Sequence, residues 1–224
     1  MCGRYSFSKP HGIKERFGLV QLEFEFEPRY NIAPSQAVPV VIQNNGGNRL
    51  VMFRWGLIPY WSKDESIGNK LINARAETLE EKPSFRKSFE KKRCLVLADG
   101  FYELKKAGRV KKPYRIIRQD GGAFAFAGLW DSWLSPAGQT INSCTIITTT
   151  PNKLIEPIHN RMPVILPPDM ESVWLDECVT SSHDVKGLLT PFPAEGMIAY
   201  GVSSQVNSLL NDGPGCVVPV NSLF

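Results

Sequence analysis

The apolar residues of this chain come in short runs rich in Val, Ile and Phe, and Gly and Pro are spread between them along the whole length. That punctuation confines the chain to many short strands joined by turns, with only a few short helices. Val38–Gln43 and Arg49–Arg54 read as a β-hairpin through Asn44-Asn45-Gly46-Gly47. Tyr114–Arg118 and Ala123–Gly128 read as a second hairpin across Gln119-Asp-Gly-Gly. Cys94–Ala98 reads as a buried strand ending at Asp99-Gly100. Cys144–Thr149, Pro163–Leu166 and Met197–Val202 are further strands. Helices are expected after Ser8, closed at Gly18; over Thr78–Lys82 towards Phe89; over Met170–Leu175; and over Ser182–Leu189. The fold class that follows is α+β: one domain over 1–224 with a curved, largely antiparallel, barrel-like sheet and a few peripheral helices.

Cysteine usage narrows the chemistry. The five cysteines are odd in number and none stands in a CxxC pair, which argues against a disulfide framework or a zinc site. The three histidines have no metal-ligand spacing, so no metal and no cofactor are expected. His11 and His183 fall on expected amphipathic helices and read as surface or packing residues. No apolar run approaches a membrane span, and no apolar segment follows the first residues as a secretory signal requires. The expected protein is a cytoplasmic monomer. Its net charge of +4 is unevenly spread, with twelve Lys/Arg against three Asp/Glu between Ser84 and Arg118. A basic segment on a slightly acidic body suits a polyanion.

Five features carry candidate chemistry. Cys2 becomes an N-terminal 1,2-aminothiol once Met1 is excised. Its α-amine, with an ordinary pKa of about 7.7–8.0, is then partly neutral at pH 7 and able to attack an aldehyde. The thiol can close the resulting imine into a five-membered ring. Glu103, after two aromatics at a strand–turn boundary, suits an acid–base role. His159 lies between prolines in a fixed loop and suits proton transfer at neutral pH. Asn73 can orient a carbonyl or hydroxyl, and Arg75 can hold a phosphate. Trp55 and Trp61, close to Arg54, have the composition of a base-stacking segment. Each feature also has a plain structural reading as a surface, cap or core residue.

Their order is more specific than any one of them. Cys2-Gly-Arg4-Tyr, Tyr30-Asn31-Ile-Ala-Pro34, Arg54-Trp-Gly-Leu-Ile-Pro59, Asn73-Ala-Arg-Ala-Glu77, Asp99-Gly-Phe-Tyr-Glu103 and His159-Asn-Arg-Met-Pro163 together resemble the SOS response-associated peptidase family. Asn211-Asp-Gly-Pro-Gly-Cys216 resembles its closing segment. The resemblance implies a protein that crosslinks to abasic sites in single-stranded DNA through its N-terminal cysteine, as a thiazolidine that shields the lesion. It would be nucleoid-associated when bound. On the matching positions Cys2 would be the nucleophile, Glu103 and His159 the proton-transfer groups, and Asn73 the group that positions the N-terminus and the sugar. Arg4, Arg75 and Arg161 would lie along the phosphates, and Trp55–Trp61 would form the aromatic wedge. Leu104 departs from the pattern, since a tryptophan often follows the glutamate. Two other readings of the same residues are a cysteine or self-processing peptidase and a non-covalent single-strand binding module.

Overall fold

The computed structural model describes residues 2–21, 26–44, 47–108, 110–176, 178–179 and 185–220. Two sheets share one hydrophobic core. The first has the order β12-β8-β7-β1-β2, built from Met197–Gly201 (β12), Val110–Arg118 (β8), Gly100–Ala107 (β7), Tyr5–Phe7 (β1) and Arg29–Ile32 (β2). The second is built from Ala37–Asn44 (β3), Gly47–Trp55 (β4), Arg93–Ala98 (β6), Phe124–Leu134 (β9) and Thr140–Thr149 (β10). These five close on themselves. β4 pairs β3, β3 pairs β6, β6 pairs β9, β9 pairs β10, and a short parallel contact of β10 with β4 completes the ring. Closure removes the exposed strand edges of an open sheet. Two short strands, Asn73–Arg75 (β5) and Met162–Pro163 (β11), add to β10. The architecture is thus α+β with a barrel-like, largely antiparallel sheet, as the punctuation of the sequence implies.

Aromatic contacts tie the two sheets together. Tyr5 of β1 and Phe101 of β7 both meet Phe126 of β9 edge-on, and Tyr5 also meets Trp55 of β4. All four of these side chains are fully buried. Such contacts contribute about 0.5–1.5 kcal/mol per pair beyond area burial.

Several expectations are corrected. Tyr114–Arg118 and Ala123–Gly128 do not pair. β8 pairs β7 and β12, whereas β9 pairs β6 and β10. Gln119-Asp-Gly-Gly is a corner between sheets, with Asp120 accepting from Gly122 N–H and pairing with Arg118. The true hairpin is β7–β8, with Gly108 at its tip in the left-handed region at φ 62°. The helix expected after Ser8 shrinks to Ile13–Arg16 (α1), because Ser8 turns its hydroxyl and backbone N–H to Asp99 instead of capping a helix. The helix expected from Thr78 towards Phe89 divides around Pro83 into a 3-10 turn at Ala76–Thr78 and Arg86–Lys91 (α2). Of Pro163–Leu166 only Pro163 is ladder, as the second residue of Met162–Pro163, with one bridge from Ile165 to Phe126. Glu171–Leu175 (α3) lies within the expected Met170–Leu175. Ser182–His183–Asp184, most of the start of the last expected helix, lie outside the described residues, as do Asn45 and Gly46 of the first hairpin.

Candidate active site

The site forms where β1 and β7, inside the first sheet, approach the strands added to β10. Cys2 precedes β1 and is fully buried. β1 lies between β7 and β2, which fixes the direction in which the N-terminus leaves the sheet. Asn73, the first residue of β5, donates from Nδ2 to the Cys2 carbonyl at 2.8 Å. Its Oδ1 is buried and has no hydrogen-bond partner among the described residues. Glu103 lies on β7 opposite Tyr114 and is 5% exposed. His159 lies in the turn before β11.

A cleft of about 510 Å³ is lined by Gly3, Arg4, Glu103, Leu104, His159 and Asn207, among others. The structure therefore brings Glu103 and His159 to one cleft; Cys2 adjoins it through Gly3 and Arg4, and Asn73 reaches Cys2 through its carbonyl.

Burial dominates the electrostatics. It pushes the Glu103 carboxyl from its ordinary 4.5 up to about 7, against the opposing charge of the amino terminus. At neutral pH that carboxyl is divided between acid and carboxylate, the condition for proton transfer in both directions. Burial, reinforced by the nearby charge of Glu103, drives the Cys2 thiol far above its usual range, and its Sγ lies 3.6 Å from the Arg4 carbonyl oxygen. The thiol is held protonated, unlike the thiolate of a reactive cysteine nucleophile. Burial also lowers His159. Its Nδ1 lies within hydrogen-bond distance of both backbone groups of Arg161, the N–H at 3.0 Å and the carbonyl oxygen at 3.2 Å.

The expected phosphate-binding arginines divide. Arg75 is exposed on β5. Arg4 is committed internally, donating to Asn31 Oδ1 and to the carbonyls of Val206 and Asn207 at 3.0–3.3 Å. Arg161 forms a two-pronged pair with Glu77 at 2.6 and 2.9 Å and donates to the Thr148 carbonyl. That pair holds Glu77 below the usual carboxylate range. The tryptophans divide too. Trp61 is 47% exposed beside Tyr60. Trp55 is a correction: it is 0% exposed and donates its indole N–H to the Ile72 carbonyl at 2.8 Å, so no base can stack on it.

Sequence reasoning missed the groups that hold the site. Asp99 accepts from Ser6, from Ser8 and from Arg115, whose Nη2 lies 2.9 Å away. A Cβ on Gly100 would meet the Arg115 guanidinium at 2.8–3.0 Å. Asn31 Nδ2 donates to the carbonyls of Val206, Ser208 and Asn211, and Asp212 pairs with Arg29 and accepts from the backbone N–H groups of Tyr30 and Asn31. These contacts strap the C-terminal segment across the cleft. The short motifs around Asn31, Asp99 and Asp212 were the available signal, but their partners lie up to about 200 residues away in sequence, as with Arg4 and Val206 (202 residues).

The comparisons with known proteins agree on one family. The model of the SOS response associated peptidase family matches residues 1–209. Over 218 residues the chain is 50% identical to the abasic site processing protein YoqW of Bacillus subtilis (strain 168), covering 96% of this chain and 97% of that protein. It is 33% identical over 265 residues to the abasic site processing protein HMCES of Gallus gallus, covering 98% of this chain and 78% of that one. A crystal structure of a protein from Bacteroides thetaiotaomicron superposes with a TM-score of 0.90 at 32% identity, over 98% of this chain and 100% of the other. With the family model spanning nearly the whole chain and full-length relatives at this identity, the chain belongs to the SOS response associated peptidase family.

Proposed function

We propose that this protein processes abasic sites in single-stranded DNA and captures them covalently through Cys2, after removal of Met1. The relatives named as abasic site processing proteins support the substrate class. The observation that carries the chemistry is geometric: Glu103, which is buried, and His159 line one cleft with Gly3 and Arg4, and Asn73 holds the carbonyl of the adjoining, buried Cys2.

In the proposed sequence the acid form of Glu103 protonates the ring oxygen of the closed sugar while the C1′ hydroxyl loses its proton, giving the aldehyde. The neutral α-amine of Cys2 adds to C1′. The carbinolamine loses water, with Glu103 or His159 delivering the proton, and leaves an imine. Sulfur then adds to the imine carbon, and its proton ends on the nitrogen. Aldehyde and aminothiol become thiazolidine and water, with no oxidant or reductant. A protonated thiol suits this order, because it acts second, on an imine that is already electrophilic. A peptidase attack on an amide would need the thiolate at the outset, which this burial opposes. The unpartnered Oδ1 of Asn73 suits an acceptor for the amine or a sugar hydroxyl.

The test is a denaturing gel with an oligonucleotide carrying one abasic site. Wild-type protein should give a heat-stable adduct that requires the lesion. Cys2→Ala should abolish it while keeping most DNA affinity. An adduct from Cys2→Ala at the wild-type level without reductant would overturn the assignment.

A further inference from the structure

The hairpin β7–β8 carries four lysines in two directly opposed cross-strand pairs, Lys105↔Lys112 and Lys106↔Lys111. Opposed residues in an antiparallel pair hold their Cβ atoms about 4.5–5.5 Å apart, and like charges there destabilise the pairing. A hairpin selected for stability alone would alternate charge sign. Here no lysine of the four has a carboxylate within ion-pairing distance among the described residues.

The two pairs point to opposite faces, because strand side chains alternate. Lys105 lies over the Tyr114 ring, 5.8 Å from its centroid. Lys106 and Lys111 are exposed and line the same cleft as Glu103 and His159. Arg4, the other cation of the cleft, spends its guanidinium on Asn31, Val206 and Asn207. The cation pair of the cleft that lacks a protein partner is therefore Lys106–Lys111. Three residues along an extended strand place Lys106 on the order of 10 Å from Glu103 and on the opposite face of the hairpin, where Leu104, Pro113 and Lys111 line the cleft with it. That is too far for contact with a sugar held at Glu103, and it suits the phosphates on one side of it.

We infer that Lys106 and Lys111 form a phosphate clamp at the mouth of the cleft, gripping the single strand beside the lesion and fixing the side from which it enters. The strand's phosphates relieve the repulsion that the empty hairpin carries. The placement beside a lesion rests on the function proposed above; the grip on phosphates does not.

The test uses the full chain and an intact single-stranded oligonucleotide, so that no covalent step enters. Affinity is measured across a salt series for wild type, Lys106→Gln/Lys111→Gln, Lys105→Gln/Lys112→Gln and Lys106→Arg/Lys111→Arg. Loss of two phosphate contacts should flatten the slope of log K against log salt by about 1.4. The arginine pair should keep the wild-type slope, and the opposite-face pair should lose less than half as much as the cleft pair. An unchanged slope in the cleft pair overturns the clamp, and so do equal losses from the two faces. Wild-type crosslinking to abasic DNA is scored separately. A flattened slope with no wild-type crosslink would keep the clamp and sink the covalent reading, whereas an unchanged slope with normal crosslinking would do the reverse.

Discussion

Glu103 is the side chain in which burial, titration and the proposed catalysis meet. General acid–base assistance is typically worth about 10²–10⁴-fold in rate. Glu103→Gln keeps the shape and cannot exchange a proton, so single-turnover crosslinking should slow by a factor in that range without a matching loss of affinity. Wild-type speed across pH 5–9 would reduce Glu103 to a structural strand residue. The same change should alter stability with a defined sign. Below pH 4.5 the carboxyl is protonated in the folded and the unfolded chain, and burial costs no ionisation energy. Between pH 4.5 and about 7 the unfolded chain ionises while the folded chain keeps its proton, so stability falls across that window and the loss is complete above about 7. Glutamine escapes that loss. In urea titrations Glu103→Gln should match wild type at acid pH and exceed it above pH 7, by roughly 3 kcal/mol at most. His159→Ala should slow crosslinking less than Glu103→Gln if water can replace the ring. The flanking prolines mark its loop in the sequence, whereas the contacts of its Nδ1 with the Arg161 backbone follow only from the folded loop.

At the scale of elements, β1, β7 and β8 are locked by a buried ion pair. Asp99 and Arg115 are 1% and 8% exposed in their side chains. Removing one partner leaves an uncompensated buried charge, which typically costs about 3–5 kcal/mol. Asp99→Ala should therefore lower the urea midpoint sharply and slow crosslinking indirectly, since Glu103 is carried on the same β7. Gly100→Ala should cost about 1–3 kcal/mol, because its Cβ must displace the guanidinium. An unaltered midpoint in both variants would mean that this network does not hold the strands. None of it was readable beforehand. β1 and β2 lack the long apolar runs that mark strands, and Tyr114–Arg118 was matched to its neighbour in sequence when its real partners are β7 and β12.

Across the whole molecule, two of the three arginines expected along the DNA, Arg75 and Arg161, now differ in kind. Arg75→Gln removes an exposed charge and should flatten the salt slope by about 0.7 with little change in melting temperature. Arg161→Gln should also lower stability, by about 1–3 kcal/mol, because Glu77 and the Thr148 carbonyl lose a charged donor. Equal melting temperatures for the two variants would refute this division. Among the described residues no helix is long and apolar enough to cross a membrane. The sequence by itself determined the α+β class, most of the strands of the barrel, and the short motifs that carry Cys2, Asn73, Glu103 and His159, because turn chemistry, apolar runs and reactive groups are local properties. It also showed a basic segment between Ser84 and Arg118. Only the tertiary structure decided that Trp55 is core while Trp61 is surface, that Arg4 and Arg161 are spent within the protein, and that two of the four hairpin lysines face the cleft. The reason is physical: exposure, ion pairing and desolvation depend on which distant segments close over a residue, and here the Val206 carbonyl, 202 residues downstream, takes the guanidinium of Arg4.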